Sequence, residues 1–583
     1  MDNFSNSFDN YNKQYDVILN NIYRMVGGSK SKKKWKKFVH NGVLFPMPYE
    51  KHNIPITFKG KNIVLSPEAE EMATLYAKSL DTDYVSSSRF NSNFWKSWKK
   101  HISDTNITSL AECDFTAISA FLIREKERRS NKSIKDKEMI KNNRTKSLDF
   151  FRTAYVDDHE QTVGNIMIEP SGIFLGRGNH PKTGTFKTRI NPEDVTINIG
   201  KDIDVPKIYY LDHIGDLVLM KNHKWGNVIH DNTVEWIASW NDPINGKKKY
   251  VWLSDTSKFK MNSDMKKFEL ARKLKRKIKS IRENMTVLTK SESIVSQQLG
   301  TALYFIDNLA LRVGNEKGSD EADTVGVTSL RVEHIVLEKG NNVTLDFLGK
   351  DTVRYLNTIK VEPYVFDVLK DLSKGKSKGD SLFPDITSNT INEYLASYLT
   401  GLTAKTFRTY NASNLFQNRL KKIRKRYEDI DPEKLTKENI ADIISQYERA
   451  NIDVAKLCNH QKNVGKGSNK QIENIKTKIA DLRKKKTSTK TKTKSKTKSK
   501  TKSKTKSKSI ENINKKIDDL KQKLKLKQEL KNISLDTSKV NYIDPRIVIS
   551  FSKATKIPLD KLYKQTLIKK FDWAQSADEN FKF

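Results

Sequence analysis

Residues 537–546, TSKVNYIDPR, decide how the C-terminal part of this chain is built. Asp544 and Pro545 read as the N-cap and first position of a helix running through Ile547, Val548 and Phe551. The Asp carboxylate accepts the orphan backbone N–H groups, and Pro already has the helical φ. Tyr542 therefore stands just ahead of a helix start. A phenol, with a pKa near 10, is a weak nucleophile at neutral pH, so a tyrosine that attacks phosphorus needs fixed positive charge around it.

Immediately upstream, Ile472, Ile475, Ile479 and Leu482 recur at three- and four-residue spacing, as do Ile510, Ile513, Ile517, Leu520 and Leu524. Between them Thr487 to Ser509 alternates Lys with Thr or Ser and has nothing apolar to bury. The pattern predicts an antiparallel coiled-coil hairpin with a disordered basic tip, its lysines adding salt-dependent phosphate affinity; a solvated spacer is the plain alternative.

Further back, the periodicity from Lys437 to Asn459 predicts a helix burying Ile440, Ile443, Ile444, Tyr447, Val454 and Leu457. His460 follows it, where terminal carbonyls favour the imidazolium. A helix over Thr403 to Ile423 carries Arg408. Another, over Ser293 to Leu311, has a core stripe of Val295, Leu299, Ala302, Ile306 and Leu309, and Arg312 ends it. Strands are expected at Val325 to Leu337, Val343 to Leu348 and Val353 to Val361. The turn between the last two, Gly349-Lys350-Asp351, puts Lys350 on a hairpin tip able to enter a duplex groove.

In the N-terminal part, Val43 to Phe45 and Ile56 to Phe58 read as strands, and Ser66 and Pro67 cap and open a helix. Phe94, Trp95 and Trp98 interleave with Lys96, Lys99 and Lys100, which predicts a core-facing aromatic face and a solvated basic one. From Asp114 to Phe151 a helix with a very polar continuation suggests an exposed arm. Gly176, Gly178 and Gly184, around Arg177, His180, Pro181 and Lys182, form a loop able to approach a phosphate closely, a weak motif by itself. Val234 to Trp240 and Lys249 to Leu253 predict a hairpin around Asn245-Gly246.

The 583 residues are too many for one core, and a formal net charge of +38 points to a polyanion. No apolar run approaches the ~20 residues that span a bilayer and the N-terminus lacks a signal-peptide core, so nucleic acid is the expected partner rather than a membrane. Two cysteines, Cys113 and Cys458, cannot build a thiolate zinc cluster, and the histidines lack metal-ligand spacing. No metal and no cofactor are expected.

LALRVGNEK (309–317), LDFLGKDTVRY (345–355), GLTAKTFRTYNAS (401–413), KLCNHQK (456–462) and SKVNYIDPR (538–546) together resemble eukaryotic-type DNA topoisomerase I, the type IB enzymes. KWKKFVHNGVLFPMPYE and IEPSGIFLGRGNHPKTG fit the same family, so the resemblance runs from about residue 33 to the C-terminus apart from the Lys/Thr/Ser tract. It implies ATP-independent relaxation of double-stranded DNA, with Tyr542 forming a 3′-phosphotyrosine and freeing a 5′-hydroxyl. Arg312, Arg408 and His460 would hold the non-bridging oxygens, and Lys350 would touch the minor groove and protonate the leaving oxygen. Arg177, Asp351 and Asn541 would flank the cleaved site, where camptothecin-like inhibitors intercalate. Lys182 would meet Asp320 or Glu321 where opposing loops close as lips.

The implied fold is α+β and multidomain: a bilobed clamp with a mixed α/β upper lobe and a mainly α lower lobe with β-hairpins, a coiled-coil linker and a small α-helical C-terminal domain. The expected boundaries are a disordered basic tail over 1–32, core lobes at 33–229 and 230–462, the linker at 463–532, and the tyrosine domain at 533–583. A monomer in the nucleus is expected, with a viral factory or virion as the alternative, because the long charged N-terminal region of cellular members is almost missing. Other departures are Leu175 where a second arginine is common, a loop one residue shorter after Lys317, and the repetitive tip.

Tyrosine recombinases share the chemistry, but their second arginine usually follows a histidine by three positions, whereas Lys405 precedes Arg408 here. A basic coiled-coil chromatin or RNA-binding protein accounts for the charge and leaves the five site residues, each in its own setting, as coincidence.

Overall fold

The computed structural model describes residues 33–583 except 104, 316, 319, 463–465 and 495–499. The expected tail over 1–32 and the centre of the Lys/Thr/Ser tract thus lie outside the described residues. The chain divides into two compact units. One holds residues up to Lys266 with Asn315–Val325 and Asp346–Arg354; the other holds Lys267–Gly314, Gly326–Leu345 and Tyr355–Phe583.

The first unit has two apolar cores. In one, Thr196–Asn198 lies between Asn227–Ile229, parallel, and Trp236–Asn241, antiparallel, and the latter pairs with Lys248–Trp252. The last two form the hairpin expected around Asn245-Gly246. Ile197, Ile237, Val251 and Phe151 fill the space beneath. In the other core, the Pro67–Ala77 and Ser88–Trp98 helices pack over the Ile56–Phe58 strand. Ser66 Oγ accepts the Ala69 N–H (3.3 Å), and Pro67 starts the first helix. Phe94 and Trp98, one helical turn apart, are fully buried, while Lys96, Lys99 and Lys100 are exposed. The aromatic run is a core face, and its lysines are the solvated one.

The polar stretch after Asp114 is two helices, Thr116–Ser130 and Ile134–Arg152, because Ser133 caps the second by accepting the Asp136 N–H (3.1 Å). Buried Phe151 and the Ser147 hydroxyl, donating to the Gly215 carbonyl (2.8 Å), tie the end of this arm to the body.

The second unit is mainly helical. Ile294–Asn308 buries Leu299, Ala302 and Ile306 as expected, but Val295 is 37% exposed because it lies in the first turn, outside the packed face. The strand expected over 325–337 is only Ile335–Glu338; Val327–Ser329 and Val332–His334 are 3₁₀ turns. Their backbone serves a different neighbour: Val327 and Thr328 N–H donate to the Arg312 and Val313 carbonyls (2.9 and 2.7 Å). Gly314 and Gly326 approach so closely that a Cβ on Gly314 would meet Gly326 Cα at 2.8 Å.

Ala404–Arg426 and Lys437–Leu457 pack together, and the C-terminal helices Leu535–Asn541 and Pro545–Thr555 dock on them. Tyr447 is buried between Phe416 and Phe551 at the centre of this packing, whereas Ile440 and Ile444 are only half-buried. The Lys466–Lys494 and Lys500–Glu529 helices meet through Ile479, Ile513 and Ile517, with Ile475, Leu482, Leu520 and Leu524 alongside. Lys527 donates to Gln471 Oε1 (2.7 Å), which makes the pair antiparallel. Both helices run into the Lys/Thr/Ser tract, through 487–494 and 500–509, where the sequence suggests disorder. Lysine is a good helix former, and a helix already nucleated on the isoleucine stripe extends at little cost.

Candidate active site

Tyr542 terminates the Leu535–Asn541 helix and directly precedes the N-cap of the next. Its N–H donates to the Ser538 carbonyl (3.0 Å), while its own carbonyl accepts the Ser413 hydroxyl (2.9 Å). Asp544 caps the following helix from a fully buried position, accepting the Arg546 N–H (3.0 Å) and pairing with the Arg546 guanidinium (2.7 Å). The local design inferred from Asp544-Pro545 is present, and it fixes the backbone on both sides of the phenol.

Arg408, His460 and Tyr542 come together in the second unit. The Arg408 guanidinium carbon is 5.1 Å from the centre of the Tyr542 ring, and the His460 ring stacks on the phenol at 5.2 Å with a 26° tilt. Arg408 donates from Nη1 to the Ala310 carbonyl and from Nη2 to the Cys458 carbonyl (2.9 Å). Ala310 takes a left-handed φ of 49° beside this bond. The guanidinium is held by a planar fork matched to two carbonyls, a geometry lysine cannot reproduce. Its Nε is buried with no hydrogen-bond partner among the described residues, a donor left for something else.

Burial pushes the Tyr542 hydroxyl up, but the charges of Arg408 and Arg312 and a hydrogen bond from Arg408 outweigh it, leaving the phenol below its ordinary value. A stabilised phenolate in an otherwise buried site is the property an attacking tyrosine requires.

The same two arginines correct the expectation for His460. Burial, then Arg408 and Arg312, bring its pKa down to about 3, so the ring is neutral rather than an imidazolium. The helix-end carbonyls are already engaged, Cys458 O with Arg408 and His460 O with the Ser534 N–H (2.8 Å). His460 Nε2 faces Arg408 Nη2 at 3.4 Å and Nδ1 faces the Ser538 hydroxyl at 2.7 Å.

Lys350 and Asp351 occupy the hairpin tip and cluster with the first unit, together with Arg177 and Lys182. Arg177 pairs with Asp351 (2.8 Å). Asp351 and Thr352 both take positive φ, 67° and 57°, a strained conformation for a β-branched threonine. Gly178 presses on this tip: a Cβ there would lie 2.8 Å from Thr352 Oγ1. Lys182 Nζ is shared between Asp320 (2.8 Å) and the Ile244 carbonyl (2.8 Å), and Lys247 pairs with Glu321. Lys350 is exposed. Asn541 is exposed in the second unit, donating to the Thr537 carbonyl (3.1 Å).

Ser413 and Ser538, which hold the Tyr542 backbone and the His460 ring, carry no signal of that role in the sequence. Ser413 sits within the Arg408 motif and Ser538 within the Tyr542 motif, but nothing in a serine's neighbours along the chain reveals a partner more than 70 residues away.

Three family models cover most of the chain. "Eukaryotic DNA topoisomerase I, DNA binding fragment" matches residues 33–253, "Eukaryotic DNA topoisomerase I, catalytic core" matches 256–493, and "C-terminal topoisomerase domain" matches 514–583. Among curated proteins, the chain is 39% identical to DNA topoisomerase 1 beta of Arabidopsis thaliana, over 94% of this chain and 59% of that one. It is 41% identical to DNA topoisomerase 1 of Caenorhabditis elegans (94% and 68%) and 40% identical to that of Homo sapiens (94% and 72%). The chain thus spans less than two thirds of the plant relative and somewhat more than two thirds of the animal ones. No helix among the described residues is long and apolar enough to cross a membrane.

Proposed function

The chain belongs to the eukaryotic DNA topoisomerase I family, and on that premise we propose that it is a type IB enzyme that relaxes supercoiled duplex DNA without ATP. It cuts one strand, lets the broken end rotate, and reseals it. The observation that carries this reading is the Tyr542 phenol set against Arg408 and His460, its acidity raised by two guanidinium charges.

In the proposed reaction the Tyr542 oxygen attacks a backbone phosphorus, forming a 3′-phosphotyrosine and breaking the bond to the 5′-oxygen. Arg312, Arg408 and His460 hold the non-bridging oxygens as charge accumulates on the pentacoordinate phosphorus, stabilisation that is larger in the transition state than in the ground state. Lys350 delivers a proton to the leaving 5′-oxygen. Because the phosphodiester energy is kept in the tyrosyl ester, resealing is the same step in reverse and needs no nucleotide.

Around that chemistry we assign core lobes at 33–229 and 230–462 that close on duplex DNA as a clamp, a coiled-coil linker at 463–532, and a tyrosine-bearing domain at 533–583. Arg177, Lys182, Asp351 and Asn541 are assigned to the DNA-facing surface, with Arg177, Asp351 and Asn541 bordering a site for camptothecin-like inhibitors. The working form is a monomer in the nucleus, or in a viral factory or virion if the gene is viral.

The test is relaxation of a negatively and a positively supercoiled plasmid in EDTA without ATP. Both should relax with wild-type protein and neither with Tyr542→Phe. A strict need for ATP, or full activity of Tyr542→Phe, rejects the assignment.

A further inference from the structure

His460 has one ring proton and two partners that compete for it. Arg408 Nη2 can only donate, so His460 Nε2, facing it at 3.4 Å, is the bare accepting nitrogen. The proton then sits on Nδ1 and is donated to Ser538 Oγ, 2.7 Å away. In that state the ring cannot give a hydrogen bond to a phosphate oxygen at Nε2. A doubly protonated ring would do so, but burial and the charges of Arg408 and Arg312 oppose it.

A neutral ring can serve only as its other tautomer, with the proton on Nε2 and a donor supplied to Nδ1. A serine hydroxyl can supply it, because it accepts or donates by rotating about one bond. We propose that Ser538 is a positioning residue that lets His460 exchange tautomers: Nδ1–H donates to Oγ in the free protein, and Oγ–H donates to Nδ1 when Nε2–H engages a phosphodiester oxygen. One proton leaves Nδ1 to water and one is taken up at Nε2, so the charge is unchanged. The inference rests on the reading of His460 as a ligand of the scissile phosphate.

Two features of Ser538 suit it to this task. It is fully buried with its hydroxyl held 2.7 Å from Nδ1, and its carbonyl accepts both the Tyr542 and Ile543 N–H groups (3.0 Å each). The residue that sets the histidine's proton is thus bonded to the backbone of the nucleophile. A carboxylate at the same place would hold the proton on Nδ1 permanently and leave Nε2 bare in the neutral ring.

The direct test is ¹⁵N NMR of the full chain labelled in histidine, carrying Tyr542→Phe to prevent cleavage, with and without a duplex oligonucleotide. The His460 signals are assigned by their loss in His460→Gln. The expected result is Nδ1–H free and Nε2–H with DNA; the same tautomer in both, or an imidazolium with DNA, overturns the proposal.

Single-turnover cleavage gives an independent readout. Ser538→Ala should slow it about 10-fold, the lower range for a buried polar atom stripped of its partner, and Ser538→Thr should recover it to within about 3-fold. In a His460→Ala background, Ser538→Ala should cost less than about 2-fold, since the two residues act as a unit. An undiminished cost there makes Ser538 a structural support and rejects the proposal. Should His460→Ala cleave at the wild-type rate, the phosphate-ligand reading of His460 is what fails. If Ser538→Ala does not fold, the NMR comparison, which keeps Ser538, decides alone.

Discussion

The hydroxyl of Ser413, on the helix that carries Arg408, donates to the carbonyl oxygen of Tyr542 at 2.9 Å. Ser413 Oγ in turn accepts the Asp544 N–H at 3.0 Å, so one buried side chain bridges the two backbone groups flanking Ile543. Ser413→Ala leaves both without a partner, a cost of about 1–3 kcal/mol. Thermal denaturation should show a lower midpoint and single-turnover cleavage a slower rate, with DNA affinity retained. Wild-type values for both would mean that the tyrosine is held by something else.

Arg408→Lys keeps the charge but not the fork that Ala310 and Cys458 accept. Cleavage should fall by about 10²- to 10³-fold, the usual loss for one oxyanion donor, while binding to a duplex changes little. Quench-flow cleavage of a labelled duplex separates the two, and a drop confined to binding would contradict the assigned role.

The rate of cleavage should rise with pH and level off below the ordinary phenol pKa, because Arg408 and Arg312 stabilise the phenolate against the upward push of burial. Removing a positive charge raises that pKa, so Arg312→Gln should move the plateau to higher pH. A profile in Arg312→Gln superimposable on wild type would disconnect the arginine from the tyrosine.

Acid should begin to destabilise the fold at a pH above the ordinary carboxylate range. Burial holds His40 down to about 4, where its Nδ1 accepts the Gly42 N–H (3.1 Å) and Nε2 donates to the Asn198 carbonyl (2.8 Å). The unfolded histidine binds a proton near pH 6.5, the folded one does not, so stability is lost as pH falls from about 6.5 towards 4, by roughly 3 kcal/mol. His460, held at about 3, adds to the loss in the same direction. The thermal midpoint should fall between pH 7 and pH 4, less steeply in His40→Gln.

The Thr487–Ser509 tract contributes ten lysines and no apolar residue. Replacing it by a neutral Gly/Ser segment should weaken low-salt DNA binding and flatten its salt dependence, with single-turnover cleavage within about 3-fold of wild type. Fluorescence anisotropy across a salt series measures the slope; an unaltered slope would assign the tract no phosphate contact.

What the sequence made legible was local. Asp544 and Pro545, Ser66 and Pro67, and the Phe94–Trp98 turn announce their structure within a few residues, and each forms as read. Arg408, His460 and Tyr542 each stand in a motif readable from the sequence, and the three lie together. The misreadings arose where distant groups decide. Val325 to Leu337 has strand-like residues, yet its backbone bonds the Arg312 segment instead. His460 reads as a cation from its helix end, but its burial, and then the two arginines brought beside it by folding, reverse that. Ser413 and Ser538 bond partners 129 and 78 residues away, which no local pattern encodes.

The central claim is that the Tyr542 oxygen becomes covalently joined to a DNA 3′ end. Mass spectrometry of the protein–DNA adduct, trapped by denaturant during relaxation and digested to a peptide carrying a nucleotide remnant, tests it most directly. The account predicts the remnant on Tyr542, joined through a 3′-phosphate, with a free 5′-hydroxyl on the partner strand end. A remnant on another residue, or a 5′-phosphate linkage, would contradict it.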